Sequence, residues 1–472
     1  MSATAGEPPA GLHPGDTIAA IATPAGPGGI GVLRISGPRA WEVGRELFRP
    51  AGRGGLPEPL EPRRLYYGRV QHPKSGEPLD EVLCVFFRAP RSYTTEDCVE
   101  IQSHSGSAVL RAVLEAALEA GCRLARPGEF TLRAFLGGRL DLSQAEAVAR
   151  LVSARSRGEA RLALGSLEGG LARRLEPVRQ RLLETAAAVE AAIDFPDEVG
   201  EIIEPGLVAA LEAEVLAPLG RLLERHRRRR IFGEGALVVL CGRPNVGKSR
   251  LFNALLGQER AIVTELPGTT RDHIQETLIL GGVACRLADT AGLGEGRDQA
   301  EALGVAAARR LLEQADLLLV VLDGSLPLEA EDREILAQTA GRPRLVVVNK
   351  VDLGAAWELE ELGLAPGRAR RVSALTEVGV QELGEAIAQA LTGGQPEPVP
   401  GEVVASTRQA EALGRCLAAA RRALRGLGEG EPAVELVSVD LAEALGALGE
   451  VDGQGAPDEV IEAVFSQFCV GK

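Results

Sequence analysis

The sequence predicts a multidomain protein of the α/β and all-α classes, with three parts in its 472 residues. Three observations support this. The front of the chain alternates apolar runs with Gly/Pro turns, which indicates a mixed α/β domain. A stretch with helical spacing of leucine and valine follows and returns near the end. Between these helical parts lie short, continuously apolar strands, typical of a doubly wound, mostly parallel sheet covered on both faces.

In the front part, residues 1–15 are expected to be a flexible N-terminus and residues 16–130 to be the mixed domain. The runs TIAAIATP, IGVLRIS and EVLCVFF predict strands, and SAVLRAVLEAALEAG predicts a helix.

The helical domain is predicted in two pieces, residues 131–232 and residues 395–472, with the Pro/Gly linker GGQPEPVPG leading into the second. In the first piece, apolar residues at three- and four-residue steps predict one stripe of an amphipathic helix. These residues are Leu164, Leu167, Leu171, Leu175, Val178 and Leu182.

The inserted α/β domain is predicted over residues 233–394. Its strands are ALVVLCG, RLADT, LLLVVLDG, RLVVVNK and RRVSA, separated by helical stretches.

Composition excludes several classes of protein. No apolar run reaches the ~18 residues of a membrane span, and the N-terminus lacks the blocks of a signal peptide, so we expect no membrane partner. The seven cysteines form no C-x-x-C pair, which favours a reduced, cytoplasmic protein over a zinc or disulfide framework. A net charge of −14 argues against loose binding to nucleic acid, so such a partner would need a local basic patch or a second protein.

The strongest motif is GRPNVGKS, Gly242–Ser249, which fits G-x-x-x-x-G-K-[ST] between a predicted strand and a predicted helix. Its turn presents backbone N–H groups to phosphates, Lys248 reaches the β/γ oxygens, and the Ser249 hydroxyl ligates Mg²⁺. The predicted contacts are Asn245, Val246, Gly247, Lys248, Ser249 and Arg250.

Three further motifs make the nucleotide a guanine nucleotide. DTAG ends a strand and places a carboxylate near Mg²⁺, NKVD supplies a carboxylate that accepts from guanine N1–H and N2–H₂, and SAL supplies a backbone contact to the guanine oxygen. The predicted contacts are Asp289, Thr290, Ala291, Gly292, Asn349, Lys350, Asp352, Ser373, Ala374 and Leu375.

The segment PGTTRD lies between these motifs, and its Thr270 is expected to be the second Mg²⁺ ligand. Leu293 follows DTAG, where many GTPases have the glutamine that orients water, so another group must do this. Arg271 is a candidate for a catalytic arginine in the same chain, and a solvated loop arginine is the alternative.

Together, GRPNVGKS, PGTTRD, DTAGL and the terminal FCVGK resemble the MnmE (TrmE) family of tRNA-modification GTPases. The similarity includes DTIAAIATPAGPGGIGVLRISGP, RPGEFTLRAF, LDLSQAEAV and EAAIDFPDE, and spans residues 16–472. It implies a homodimeric, K⁺-dependent GTPase that forms a heterotetramer with an MnmG-like FAD protein. The pair would modify C5 of the wobble uridine of certain tRNAs to an aminomethyl or carboxymethylaminomethyl group, using a folate one-carbon unit.

For GTP hydrolysis, the resemblance implies that the Asn245 side chain ligates K⁺ and that Glu301 orients the attacking water. A loop-stabilising asparagine and an ordinary helix-start acid are the alternatives. Backbone groups of Thr264, Leu266 and Thr269 would complete the K⁺ site. The implied nucleotide contacts of this segment are Thr264, Glu265, Leu266, Pro267, Gly268, Thr269 and Thr270.

For the front domain, the resemblance implies contacts of Arg34, Glu100, Arg139 and Lys472 with 5-formyltetrahydrofolate or another tetrahydrofolate. Salt-bridged surface residues are the alternative. At position 139 the family more often has lysine, and only 4 of the 52 basic residues here are lysine, so the charge is expected to be kept.

Two further features each have two possible roles. The resemblance implicates Cys469 in activity, and a buried structural thiol is the alternative. The run RHRRRR, Arg225–Arg230, is expected to be a solvated helix end, with a tRNA-backbone contact as the alternative. A rival function for the whole chain is an Era-like regulatory or ribosome-assembly GTPase without modification chemistry.

Overall fold

The computed structural model describes residues 15–24, 26, 28–52, 55–195, 205–258, 275–289, 310–358, 364, 368–428 and 434–471. The chain divides into two compact units. The first unit contains Met1–Ala149, Leu182–Ile203 and Ala418–Lys472, and the second contains Arg150–Arg181 and Glu204–Leu417.

The first unit contains a seven-stranded sheet in the order β3-β4-β5-β6-β2-β1-β7. Its neighbouring strands are antiparallel except for the short parallel pair of β1 and β7. The strands are β1 (Ile18–Ile21), β2 (Gly31–Ser36), β3 (Phe48–Pro50), β4 (Leu65–Gln71), β5 (Pro78–Phe87), β6 (Cys98–Ser103) and β7 (Arg123–Leu124). The predicted strands in TIAAIATP, IGVLRIS and EVLCVFF are therefore confirmed.

Strand β2 shows how this sheet separates its core from its polar face. Leu33 and Ile35 lie in a core with Val43, Val99 and other apolar residues. Arg34 lies between Leu33 and Ile35, so the alternation of a strand turns it to the opposite face. That opposite face carries the charged residues of the candidate site.

The second unit contains a six-stranded sheet in the order β13-β12-β11-β8-β10-β9. All neighbours are parallel except β9, which pairs antiparallel with β10 at the edge. The strands are β8 (Ala236–Cys241), β9 (Gln275–Leu280), β10 (Val283–Asp289), β11 (Leu317–Asp323), β12 (Arg344–Asn349) and β13 (Ala369–Arg371). Both faces are covered, because Val238 and Leu240 lie in one apolar core and Leu237 and Val239 in another. The predicted doubly wound sheet is confirmed, and the edge strand β9 is an addition to it.

Helices cover both sheets and form most of the remaining structure. In chain order they are α1 (Ala40–Leu47), α2 (Ser107–Glu119), α3 (Glu129–Leu136), α4 (Leu142–Ser153), α5 (Arg157–Leu167), α6 (Gly170–Asp194), α7 (Pro205–Leu211), α8 (Ala217–Glu234), α9 (Lys248–Gln258), α10 (Ala330–Gln338), α11 (Val380–Thr392), α12 (Thr407–Gly428), α13 (Val434–Asp452) and α14 (Asp458–Phe465). A π-helical segment, Glu212–Leu216, joins α7 to α8. Within the described ranges, no helix is both long and apolar enough to cross a membrane.

The predicted leucine stripe belongs to two helices instead of one. The chain turns at Gly169, which has a φ of +75°, between α5 and α6. Leu171 and Leu175 are buried, whereas Leu164 is exposed. The prediction of a single helix was wrong for the first residues of the stripe. The spacing of apolar residues does not reveal a turn that a glycine makes in a left-handed conformation.

Candidate functional site

The phosphate-binding motif forms a tight loop between β8 and α9. Gly242 has a φ of +149° and Gly247 a φ of +95°, a region that favours glycine. A Cβ on Gly242 would overlap the carbonyl oxygen of Val321, and one on Gly247 would overlap Nδ2 of Asn349. Both glycines are therefore required by close approach as well as by backbone conformation.

The order of strands places this loop where ligands bind in parallel sheets. Strand β8 lies between β10 and β11, so the strands that follow it in the chain are added on both of its sides. Ligands of parallel sheets bind beyond the carboxyl ends of the strands at such a point. Asp289, Asp323 and Asn349 are the last residues of the parallel strands β10, β11 and β12. The predicted phosphate, magnesium and base contacts therefore meet at one edge of the sheet.

Lys248 is buried and aligned by the loop it belongs to. Its Nζ donates hydrogen bonds to the carbonyl oxygens of Gly242, at 2.7 Å, and Arg243, at 2.8 Å. Burial lowers the pKa of the Lys248 ammonium, and the charge of Asp289 opposes that effect. A cation held in this way is positioned for phosphate oxygens.

Ser249 and Asp289 lie side by side. The Ser249 hydroxyl donates a 2.7 Å hydrogen bond to Oδ2 of Asp289. Hydroxyl and carboxylate oxygens are the hard donors that Mg²⁺ prefers, so this pair fits the predicted metal. Thr270, the other predicted Mg²⁺ ligand, lies outside the described residues.

Asn349 connects the phosphate loop to the base-recognition loop. It is buried, its Nδ2 donates to the carbonyl oxygen of Val246 at 2.9 Å, and its Oδ1 accepts from the backbone N–H of Ala374 at 2.9 Å. Both partners are predicted nucleotide contacts. One amide side chain therefore fixes the distance between the phosphate end and the base end of the site.

The remaining base-side residues are fixed by charge and hydrogen bonds. Asp352 accepts a 2.5 Å hydrogen bond from the Ser373 hydroxyl, and Leu375 is exposed at the same loop. Lys350 has a φ of +67°, and its Nζ lies 2.6 Å from Oδ2 of Asp323. Burial opposes ionisation of Asp323, but the bonds from Lys350 and Ser325 prevail and hold its pKa below the ordinary value.

Asn245, the predicted side-chain ligand of K⁺, lies in the phosphate loop. Its φ is +64°, it is exposed on the loop, and its side chain makes no hydrogen bond within the described ranges. Val246 beside it is buried, while Arg250 is exposed on α9. The predicted site residues outside the described residues are Thr264, Glu265, Leu266, Pro267, Gly268, Thr269, Thr270, Arg271, Thr290, Ala291, Gly292, Glu301 and Lys472.

Arg243 ties the phosphate loop to a later helix, and the sequence analysis did not predict this contact. Nε of Arg243 donates to Asp332 at 2.8 Å, and its Nη1 lies 2.6 Å from Glu329. These acids lie at the start of α10, and the hydrogen bond that Arg243 donates to Asp332 is the main cause of a raised pKa for Arg243. Nothing in a loop arginine identifies a partner so far along the chain.

A second candidate site lies in the first unit, in a cavity of about 550 Å³. Nε and Nη2 of Arg34 both lie 2.9 Å from Oε1 of Glu100, and Nη1 of Arg139 donates to the Ser92 carbonyl at 2.7 Å. The cavity is lined by Arg63, Phe87, Pro90, Arg91, Ser92, Tyr93, Cys98, Glu100 and Arg139.

Tyr93 joins the predicted residues of this cavity and was not itself predicted. The guanidinium carbons of Arg34 and Arg139 lie 5.1 Å and 5.0 Å from the centroid of its ring. Its hydroxyl is 2.9 Å from that of Thr131. The structure therefore brings Arg34, Glu100 and Arg139 together around one tyrosine.

The end of the chain packs against the first sheet. Val470 forms a β-bridge with Pro127, and the N–H of Gly128 donates to the Cys469 carbonyl at 3.4 Å. Gly471 has a φ of +98°, and a Cβ there would overlap the carbonyl oxygen of Ile21, whose strand partner Leu33 precedes Arg34. The tail is thus brought back to the strands that carry the candidate site.

Cys469 differs from the other cysteines. It is exposed, while the other six are buried. Burial raises the pKa of several of these thiols, for example that of Cys98 to about 12. The alternative of a buried structural thiol at position 469 is therefore wrong.

The basic run Arg225–Arg230 is engaged within the second unit. Arg229 lies 3.0 Å from Glu402, Arg230 lies 2.5 Å from Asp316, and Nδ1 of His226 is 2.8 Å from the Ala405 carbonyl. Asp316 also accepts from the N–H of Leu237 at the start of β8. The expected solvated helix end is therefore wrong for half of this run, which instead holds α8 against Asp316, Glu402 and Ala405.

Proteins that join a phosphate loop to a guanine-reading loop through a buried asparagine form one class, the P-loop GTPases, and this chain is one of them. Two family models match it. The model of the GTP-binding protein TrmE N-terminus matches residues 17–139, and the model of the MnmE helical domain matches residues 142–469. The chain belongs to the MnmE family.

Relatives support this over the whole chain. The tRNA modification GTPase MnmE of Heliobacterium modesticaldum is 45% identical, over 97% of this chain and 100% of the relative. That of Symbiobacterium thermophilum is 47% identical, over 97% and 99%. The solved structure of Aquifex aeolicus Era bound to GDP and AlF₄⁻ is 28% identical over 40% of this chain and 66% of that chain, with a TM-score of 0.28.

Proposed function

We propose that this chain is a K⁺-dependent GTPase that works with an MnmG-like FAD protein to modify C5 of the wobble uridine of certain tRNAs. The methylene carbon that joins the added aminomethyl or carboxymethylaminomethyl group to C5 comes from a tetrahydrofolate. The observation that carries the GTPase half is the bridge by Asn349 between the phosphate loop and the base loop.

Guanine selection follows from the base loop. The Asp352 carboxylate, oriented by the Ser373 hydroxyl, accepts from the N1–H and N2–H₂ groups of guanine. Adenine offers no such pair of donors, and a site built on such bonds discriminates strongly against a base that leaves them unmade. Asn349 keeps the base loop at a fixed distance from the phosphate loop, where Lys248 binds the phosphates.

Hydrolysis depends on positive charge near the β/γ bridge. Ser249, Asp289 and Thr270 are the residues that would hold Mg²⁺, which would neutralise phosphate charge. A bound K⁺ would supply the charge that an arginine finger provides in other GTPases, an effect worth ~10³–10⁵ in rate. Asn245 holds it through its exposed side chain, and backbone groups of Thr264, Leu266 and Thr269 complete the site.

Two residues outside the described ranges complete this proposal. Glu301 orients the attacking water, and Arg271 is the alternative source of charge. In a homodimer, GTP-dependent pairing of the GTPase domains drives the conformational cycle.

Folate binding is proposed for the cavity of the first unit. Glu100 accepts hydrogen bonds from the amino and ring N–H groups of the pterin, while Arg139 and Lys472 bind the glutamyl carboxylates. Arg34 orients the Glu100 carboxylate through contacts of 2.9 Å. The half-buried ring of Tyr93 and the volume of about 550 Å³ fit a flat heterocycle.

Modification chemistry is proposed to need Cys469, whose exposed thiol lies on the tail docked beside β1. The enzyme is proposed to act in the cytoplasm as a heterotetramer with its FAD partner, which contributes to tRNA binding.

The tRNA half is tested by nucleoside analysis of tRNA from a deletion strain carrying an empty vector, the wild-type gene or Cys469→Ser. We expect the modified wobble uridine to vanish in the first, return in the second and stay absent in the third, while purified Cys469→Ser hydrolyses GTP normally. Unchanged wobble uridines in the deletion strain would refute the proposal and favour a regulatory GTPase. Normal modification by Cys469→Ser would refute the role of this thiol alone.

The potassium half is tested by GTPase rates in KCl and NaCl at equal ionic strength. We expect wild type to be at least tenfold faster in KCl, and Asn245→Ala to bind GTP but to lose this difference. Equal wild-type rates in both salts would contradict the potassium site.

A further inference from the structure

The cavity of the first unit has more positive charge than the proposed folate contacts use. Arg63, Arg91 and Arg139 line it, and its one acidic lining residue, Glu100, is already paired with Arg34. Within the described part of the chain, none of the three lining arginines has a carboxylate partner. Among the described residues, the wall therefore carries three positive charges without a carboxylate partner.

These charges lie apart from the floor of the cavity, which consists of its less exposed residues Ser92, Tyr93, Cys98 and Glu100. Ser92 and Cys98 are buried, and Tyr93 and Glu100 are half-buried. The three lining arginines are all exposed. A ligand in this cavity therefore places a flat, hydrogen-bonding body on the floor and its negative charges at the mouth.

The backbone fixes the two arginines that the proposed function leaves without a role. Arg63 has a φ of +62°, a costly conformation for a residue with a Cβ, and its N–H donates to the Phe86 carbonyl at 2.7 Å. The N–H of Arg91 donates to the Arg88 carbonyl at 2.9 Å. Both residues are therefore held at the mouth by strand β5 and the turn that follows it.

We infer that the cavity takes a tetrahydrofolate with several γ-linked glutamates, and that Arg63 and Arg91 bind the carboxylates of the added residues. This rests on the proposed function, which assigns folate to the cavity. A folate with one glutamate has two carboxylates, and each added γ-linked glutamate brings one more. Arg139 meets the first of them, and the uncompensated arginines at the mouth match those that follow.

The test is a calorimetric titration of the full-length protein with the mono- and triglutamate forms of 5-formyltetrahydrofolate. We expect the triglutamate to bind wild type about three- to tenfold tighter at low salt, since each exposed ion pair contributes little. The advantage should shrink at ~0.5 M NaCl, where screening is strong. In the double variant Arg63→Ala/Arg91→Ala, we expect equal affinities for the two forms and a monoglutamate affinity within about twofold of wild type.

Arg64→Ala is the matched control. Arg64 neighbours Arg63, is exposed, pairs with Glu61 at 3.0 Å and does not line the cavity, so this variant should keep the preference. Equal binding of the two forms by wild type would overturn the inference but leave the folate site standing. Failure of wild type to bind either form would overturn the proposed folate function itself. A double variant that keeps the preference, or loses both forms alike with its thermal unfolding unchanged, would also overturn the inference.

Discussion

The nucleotide loop and the cavity of the first unit are built in opposite ways. The loop is one continuous segment, Gly242–Ser249, shaped by backbone conformation at the end of a single strand. The cavity is assembled from side chains of separate segments, around Arg63, Tyr93, Glu100 and Arg139. A site made of consecutive backbone groups leaves a motif in the sequence, whereas a site made of distant side chains leaves none.

The two sites also differ in the kind of substitution that damages them. In the loop, Gly242 and Gly247 have no side chain, and damage at these two positions comes from adding atoms. In the cavity, the critical groups are cations and a ring, and damage comes from taking them away. The predictions below use this contrast.

The largest effect is expected for Gly247→Ala. Gly247 has a φ of +95°, and the added methyl would overlap Nδ2 of Asn349. Either the phosphate loop or the hydrogen bonds of Asn349 must therefore be disrupted. GTP affinity should fall by about 100-fold or more, measured by fluorescent-nucleotide titration, while folate affinity stays unchanged.

Gly257→Ala is the control for that variant, because a Cβ on Gly257 in α9 meets nothing within 4 Å. It should keep wild-type GTP affinity. A Gly247→Ala protein that still bound GTP normally would contradict the view that the backbone makes this site.

A smaller effect is expected for Tyr93→Leu. The ring that contacts both Arg34 and Arg139 is lost, so calorimetry should show about tenfold weaker binding of monoglutamyl folate. Tyr93→Phe keeps the ring and loses only the bond to Thr131, so it should stay within about threefold of wild type. Equal losses in both variants would mean that the hydroxyl, and not the ring, positions the arginines.

The smallest effect is expected in stability. Burial opposes ionisation of Glu129, but hydrogen bonds from Arg123, Arg126 and Arg133 prevail and lower its pKa from 4.5. Because the folded pKa lies below the unfolded one, the carboxylate stabilises the fold above pH ~4.5, and this is lost as the pH falls further. Glu129→Gln should cost about 1 kcal/mol at pH 7 and flatten the decline in stability between pH 5 and 3.

Trp41 lies in the first unit and Trp357 in the second, so fluorescence of a Trp357→Phe background isolates urea unfolding near Glu129. In that background, a Glu129→Gln curve that kept the full pH dependence would show that other carboxylates control it.

Much of the fold was predictable, because alternation and apolar runs are local properties of the chain. Strands β1, β2 and β5 of the first sheet, the parallel strands of the second sheet, helix α2 and the apolar cover on both faces of the second sheet follow from these patterns. The edge strand β9 was missed, since QETLIL is short and mixes polar with apolar residues. The turn at Gly169 was missed because helical spacing continued across it.

The sites were predictable to different degrees for the same reason. The phosphate and base contacts were found from motifs, and the structure brings together those that it describes. Arg34, Glu100 and Arg139 were found through family resemblance alone, because each is an ordinary charged residue locally. Tyr93, Arg63 and Arg243 were missed, since their partners are defined only by tertiary packing.

The scarcity of lysine has a practical consequence for limited proteolysis. Among the lysines that the structure describes, Lys248 is buried in the phosphate loop and Lys350 is tied to Asp323, whereas Lys74 is exposed at the turn between β4 and β5. A lysine-specific protease acting on the folded protein should therefore cut first at this turn. The first product would be a protein cut within the front sheet, with the nucleotide loop intact. Such a product would allow the contribution of the front sheet to be tested without any mutation.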